Sequence, residues 1–309
     1  MQCLKYLAIA LLAVFAQPAA AAPFTFVALG DMPYFTPADY DRFEGLIEQI
    51  NREQPVFSIH VGDIKGGSTP CTDEAFEEVR ERFGLFEQPL FYTPGDNDWT
   101  DCHRTGFNAQ ERLAKIREMF FAEPRSLGRR TMPYERQADD GEQGREHDQM
   151  VENATWTHEG VRFATVHVVG SNNGNQEEYP GAVAEFKPRD QANKDWIAAI
   201  GKRARKEAAA ALVFAFHADP WVKGGGNGFK RTLKALVKAA EKFSGPVLLV
   251  HGDIHSYRVD QPLQDKNGKT LANVTRLRVM GSPDLRAVRV TVDADADVPF
   301  RFEVLNIDP

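Results

Sequence analysis

The stretch TPGDNDW, Thr93 to Trp99, sets two carboxylates two residues apart behind a glycine that closes an apolar run. Asp96 and Asp98 there are either spare acid on a solvated turn or one corner of a metal site. The same dipeptide recurs as Gly30-Asp31, Gly62-Asp63 and Gly252-Asp253. Each follows a segment that reads as a β-strand. In open α/β sheets ligands bind beyond the carboxyl ends of the strands, and glycine lets the chain turn sharply there. Four carboxylates brought to one edge repel one another unless a cation sits among them. Two histidines stand at equivalent places: His217 closes LVFAFH, and His255 lies three residues past Gly252. Oxygen ligands with two imidazoles suit Mn, Fe or Zn better than Ca. Singly, each Asp is more often a turn residue or helix cap. The case for metal rests on six residues, Asp31, Asp63, Asp96, His217, Asp253 and His255, falling at like positions.

The elements that must carry them follow from periodicity. FTFVALG, PVFSIHVG and PLFYTPG read as strands, separated by helical patterns at PADYDRFEGLIEQINRE and TDEAFEEVRERFGLF and followed by another over Phe107 to Phe121. This alternation predicts an α/β fold. Glu123 to Gln149 is polar and charge-dense and reads as a long surface insertion. A hairpin about Glu159-Gly160, a helix over Pro188 to Lys206, two more strands with a helix between them, and antiparallel strands from Asn273 to Val304 complete the pattern. No repeat or linker divides the chain, which predicts one domain over residues 23–309. The insertion and the segment Gly170 to Gly181 are expected to overhang the site and choose its substrate.

Compartment and charge narrow the chemistry further. Met1 to Ala22 has a lysine-bearing start, an apolar core and a small-residue end, the pattern of a secretory signal. The mature chain is therefore expected in the periplasm or outside the cell, with no further stretch long enough to span a membrane. Beyond that signal only Cys71 and Cys102 remain, an even pair suited to a disulfide. The formal charge is −7, and the basic run GKRARK at Gly201 to Lys206 reads as a solvated helix end. A nucleic-acid partner is not expected, because binding one needs a basic face. No phosphate-binding P-loop, dinucleotide fingerprint or serine nucleophile elbow is present.

In order and spacing these residues resemble the calcineurin-like metallophosphoesterase family, which includes the purple acid phosphatases. That family's motifs run D-x-H, GD, GNH-[DE], a lone His and GHxH. Asp31 falls on the first Asp, Asp63 on the metal-bridging Asp, Asp96 on the Asn of GNH, His217 on the lone His, and GDIH at Gly252 to His255 on GHxH. The resemblance implies a four-layer α/β/β/α sandwich holding two metal ions. It also implies hydrolysis of a small phosphate mono- or diester by a metal-bound hydroxide. Four positions depart from the motifs: Pro33 replaces the first His, Asp96 the Asn, Asn97 the His credited with leaving-group chemistry, and Asp253 the first His of GHxH. Four carboxylates then face the ions where the family supplies two, so a trivalent iron would be needed to keep the centre positive. With Asn97 at the leaving-group position, His103 and His251 are the candidates to supply a proton, and Arg104 has the planar fork of a phosphate clamp. The loop at Gly224 to Gly228 could offer backbone N–H groups to an anion. Two functions compete on this reading: a phosphoester hydrolase, and a metal-dependent binding protein that turns nothing over.

Overall fold

A computed structural model describes residues 22–141, 147–222 and 226–305; the signal-like segment lies outside them but for Ala22. In chain order the first half holds β1 (Phe24–Leu29), α1 (Tyr40–Glu53), β2 (Ser58–His60), α2 (Asp73–Phe83), β3 (Leu90–Tyr92) and α3 (Ala109–Phe120). The second half holds β4 (Glu135–Arg136), β5 (Ala154–His158), β6 (Val161–Thr165), a four-residue turn α4 (Gly170–Asn173), α5 (Ala182–Lys206), β7 (Ala211–Ala215), α6 (Lys230–Lys242), β8 (Val247–His251), β9 (Arg258–Asp260), β10 (Val274–Arg278), β11 (Ala287–Val292) and β12 (Phe300–Leu305).

Local chemistry explains the boundaries. In α1, Phe43, Leu46, Ile47 and Ile50 recur at helical spacing and are all buried. That helix begins at Tyr40 rather than near Pro37, because the Asp39 carboxylate accepts from the backbone N–H groups of Tyr34 and Phe35 and so holds the preceding turn. Thr72 and Asn108 cap α2 and α3 through side-chain oxygens that accept from Ala75 N and Glu111 N. Pro188 does not start α5. The helix opens six residues earlier at Ala182, and the buried Arg189 reaches back to Glu185 at 2.8 Å across that first segment.

The strands form two sheets, β12-β11-β1-β2-β3 and β4-β5-β6-β7-β8-β10-β9. β1, β2 and β3 run parallel, as do β6, β7, β8 and β10, so the carboxyl ends within each set share one edge. The tail is only partly antiparallel: β11 and β12 are, but β10 lies parallel to β8 with Val274 opposite Val247. Between the sheets Phe26, Phe57, Trp156 and Phe163 interlock, with edge-on ring contacts at 5.1 to 5.7 Å. Outside the first sheet, Phe43 from α1, Phe83 from α2 and Phe120 from α3 close one core. Outside the second, Trp196 and Ile200 from α5 and Leu236 from α6 close another. Helix, sheet, sheet, helix: the sandwich has four layers.

The described parts of the polar insertion pair with strand edges at the flank of this sandwich. Leu127 bridges Leu90 at the start of β3, the end remote from Gly95-Asp96, and β4 pairs with the outer strand β5. At Leu127, Glu135 and Arg136 its backbone groups pair with strand edges, which gives a stretch poor in apolar residues an anchor there.

Candidate metal centre

Asp31, Asp63, Asp96, His217, Asp253 and His255 all sit just past the carboxyl ends of parallel strands, and the sandwich brings these ends together. Asp31, Asp63 and His255 offer ligand atoms that lie within 4.8 Å of one another, and so do Asp63, Asp96 and His217. Asp63 belongs to both groups. Asp253 borders the second, with its Oδ1 3.8 Å from His217 Nε2 and its Oδ2 accepting from Asp219 N at 2.9 Å.

The backbone pays for this convergence in conformation. Asp31, Asp63, Asp253 and His255 have φ of 55°, 56°, 77° and 53°, a left-handed region that non-glycine residues rarely occupy. Such strain clusters where side chains must be aimed at a function. Glycine at two of the Gly-Asp pairs is a matter of room: a Cβ on Gly62 would lie 2.8 Å from the Cα of Gly95 and 2.9 Å from His217 Nδ1, and one on Gly95 would collide with the Asp63 carboxylate.

Both imidazoles are oriented by main-chain carbonyls. His217 Nδ1 lies 2.7 Å from Val61 O and His255 Nδ1 2.6 Å from Ser282 O. With each Nδ1–H donated, each Nε2 is turned toward the carboxylates, His217 Nε2 lying 3.0 Å from Asp96 Oδ1 and His255 Nε2 3.5 Å from Asp31 Oδ1. This is how metal-ligating histidines are held. The donor set of carboxylate oxygen and imidazole nitrogen therefore fits Mn, Fe or Zn.

The charges show the same need for a cation. Burial lifts the Asp31 carboxyl to about 8, opposed by His217 and helped by Asp253. Burial and the charge of Asp96 lift Asp253 to about 6. Asp63 is pushed well above the carboxylate range by burial, with Asp96 and Asp98 adding to the rise against His217. Asp96 alone goes down, to about 2: burial would raise it, but the hydrogen bond and charge of His217 and the hydroxyl of Ser171 outweigh that. His217 rises well above the ordinary imidazole value, because Asp63, Asp96 and Asp31 overcome its burial. One imidazolium among four carboxylates is a poor counter-charge.

The remaining residues singled out in the sequence divide. Asn97 is at the cluster: its backbone N–H donates to Asp63 Oδ1 at 3.0 Å and its amide to Asp63 Oδ2 at 2.5 Å. Arg104 is half exposed and paired with Asp101 at 2.7 Å. His103 packs at a tilt against Tyr179 with ring centroids 3.6 Å apart and lines a neighbouring cavity of about 150 Å³ with Trp99 and Phe107. His251 is not brought to the cluster. It is fully buried against Phe216 and Trp221, burial holds it neutral with its pKa down at about 3, and its Nε2 has no hydrogen-bond partner among the described residues. Alternation along β8 turns it to the helix-covered face. His60 is likewise buried, on Met32 O. The glycine loop falls partly outside the described residues, and its Gly228 N donates to Asn172 Oδ1.

Four more residues support the cluster in ways the sequence does not specify. Asp98 is not a ligand: its carboxylate accepts from Asp63 N, Ile64 N, Gly95 N and the Tyr92 hydroxyl, binding the second Gly-Asp loop to the third. Ser171 donates to Asp96 Oδ2 at 2.8 Å and sits 3.0 Å from both oxygens of Asp101, so the 170–181 segment does reach the site. Tyr34 accepts from the Asn97 amide at 3.2 Å and meets the His255 ring edge-on at 4.7 Å. Lys65 is 2 % exposed, its pKa lowered by burial against the pull of Asp98 and Asp63. The two-residue spacing of Asp96 and Asp98 was the available signal for Asp98, and the 170–181 segment that for Ser171; nothing in the sequence pointed to Tyr34 or Lys65. Cys71 and Cys102 are disulfide-bonded with Cα atoms 5.7 Å apart.

No family model and no curated protein matches this sequence. Solved structures do. A dimetal phosphatase from Danio rerio superposes with a TM-score of 0.57 at 12% identity, covering 90% of this chain and 98% of its own. A purple acid phosphatase from yellow lupin (Lupinus luteus) seeds gives 0.55 at 14% identity over 94% of this chain and 52% of that one. GAP50, the anchor in the inner membrane complex of Plasmodium, gives 0.51 at 14% identity, over 93% and 90%. The chain has the metallophosphoesterase fold.

Proposed function

We propose that the chain is an exported metal-dependent phosphoesterase acting on a small phosphate mono- or diester. The observation that carries this reading is the pair of Asp/Asp/His groups sharing Asp63, each with a histidine Nε2 turned inward. Asp31, Asp63 and His255 would hold one ion; Asp63, Asp96 and His217, with Asp253 beside them, would hold the other. When bound, two such ions supply Lewis acidity at the phosphoryl oxygens and activation of a water. Four carboxylates favour a trivalent ion, iron, at one position. Asn97 fixes Asp63 through both of its oxygens, Ser171 fixes Asp96, and Arg104 stands in the turn that follows Asp96 with a fork suited to phosphate. The bonded cysteines support an oxidising compartment, periplasmic or extracellular.

A second reading, metal-dependent binding without turnover, draws on one feature: Asn97 spends its amide on Asp63 and has no proton to give a leaving group. The likeness to an anchor protein is in keeping with it. Metal analysis of the purified chain, then assay against aryl mono- and diesters with Mn, Fe and Zn, separates the two. Turnover that falls about a hundredfold or more in Asp63→Asn establishes hydrolysis. Stoichiometric metal with no turnover on any ester leaves the binding reading standing.

A further inference from the structure

The outer helix layer carries a feature that phosphoester chemistry does not use. Between α5 and α6 runs a groove of about 650 Å³. Lys194, Lys202 and Arg205 line it from α5; Arg231, Lys234, Lys238 and Lys242 line it from α6. All seven are exposed. Two have carboxylate partners, Lys194 on Asp195 at 3.4 Å and Arg231 on Asp190 at 3.3 Å, while Arg205 caps Gly201 O. Lys202, Lys234, Lys238 and Lys242 have no ion-pair partner among the described residues. The chain as a whole carries −7, so this is a segregated field rather than a sample of the average surface.

Its geometry selects among anions. Lys234, Lys238 and Lys242 repeat every four residues, about 6 Å apart, along a helix of about 20 Å. The second row, on α5, lies about 8–10 Å away across a floor of Ala198, Ala235 and Ala239. Among the described residues no buried donor points into the groove to grip a discrete anion, and no aromatic ring lines it to stack a base. Lysine ammonium groups are mobile point charges without the directional fork of arginine. Two rows of such charges match an extended, laterally disordered anionic surface. The exposed large apolar residues, Phe35, Val222, Ile254, Tyr257, Val259 and Val298, all lie elsewhere, so contact here would be adsorption with nothing to insert.

We propose that the α5/α6 face docks the protein on an anionic phospholipid bilayer. No helix among the described residues is long and apolar enough to cross a membrane, so attachment would be peripheral and reversible by salt. The run GKRARK then has a use beyond ending a helix, since Lys202 and Arg205 belong to the groove. The metal cluster stands at the strand-end edge of the sandwich, not under this face, and would stay open while the protein is docked.

The test is vesicle flotation of the full chain. Wild type should float with vesicles of about 30% phosphatidylglycerol in phosphatidylcholine at about 50 mM salt, not with phosphatidylcholine alone, and should be released at about 300 mM. Each lysine near an anionic surface is worth about fivefold in partitioning, so K234Q/K238Q should bind about 30-fold more weakly. K266Q/K269Q, an equal charge change on an exposed loop, should leave binding nearly unchanged. Circular dichroism of both variants checks that each is folded. Absence of wild-type flotation, equal binding to neutral vesicles, or equal loss in both variants would overturn the proposal. So would retention of a soluble polyanion such as heparin by the groove without any vesicle binding.

Discussion

At the scale of single residues the site is organised by what holds the ligands. Asn97 is the clearest case, because its backbone and side chain both donate to Asp63, the carboxylate common to the two candidate groups. Asn97→Ala keeps the backbone bond and removes the amide. Removing such a supporting donor typically costs 10- to 100-fold in metal affinity, so the metal Kd from titration should rise by about that factor while the fold is kept. An unchanged Kd would mean that Asp63 needs no help from the amide. Position at a strand end made the six candidate ligands legible in the sequence. What was not legible is the difference between Asp96 and Asp98, for two identical side chains two residues apart face opposite ways. One points at His217, the other back at two donors of the loop after β2 and two of its own strand and loop. Tyr34, and which residue of the 170–181 segment would meet Asp96, were out of reach for another reason, since each contact spans more than sixty residues of chain.

At the scale of elements, strands with three or more alternating or continuous apolar residues and helices with a buried stripe were readable, because period and burial coincide in them. The polarity of the insertion says nothing about backbone pairing, and pairing with Leu90 and β5 is what places its described parts. The same elements depend on one covalent tie. Cys71 precedes the cap of α2 and Cys102 lies in the turn after Asp96, so their bond joins the loops that follow β2 and β3. The enclosed separation is 31 residues. A loop of that size restricts the unfolded chain enough for the bond to contribute about 3–4 kcal/mol. Replacing both cysteines by serine should lower stability by that amount in denaturant titration, and metal affinity should fall with it because Asp63 and Asp96 stand on the two tied loops. Lost stability with unchanged metal affinity would show that the bond acts on the chain and not on the site.

At the scale of the whole molecule, the candidate site couples to folding through its charge. Without metal, Asp31 and Asp253 have folded pKa values of about 8 and about 6 against 3.8 in the open chain, so folding favours their protonated forms. The sign follows directly: a carboxyl raised by folding contributes stability that is complete below its unfolded pKa and lost as pH rises through its folded one. Metal-free protein held in chelator should therefore lose thermal stability steadily between about pH 4 and about pH 8. Metal reverses this, since each ion must displace those protons to bind and gains most where they are already gone. The rise in Tm on adding Mn should thus be small near pH 5 and largest near pH 8. The expected curves cross the range in opposite senses, falling in chelator and flat or rising with Mn. Parallel curves would mean that Asp31 and Asp253 do not surrender protons to an ion, and that the convergence of carboxylates at this edge serves something other than metal.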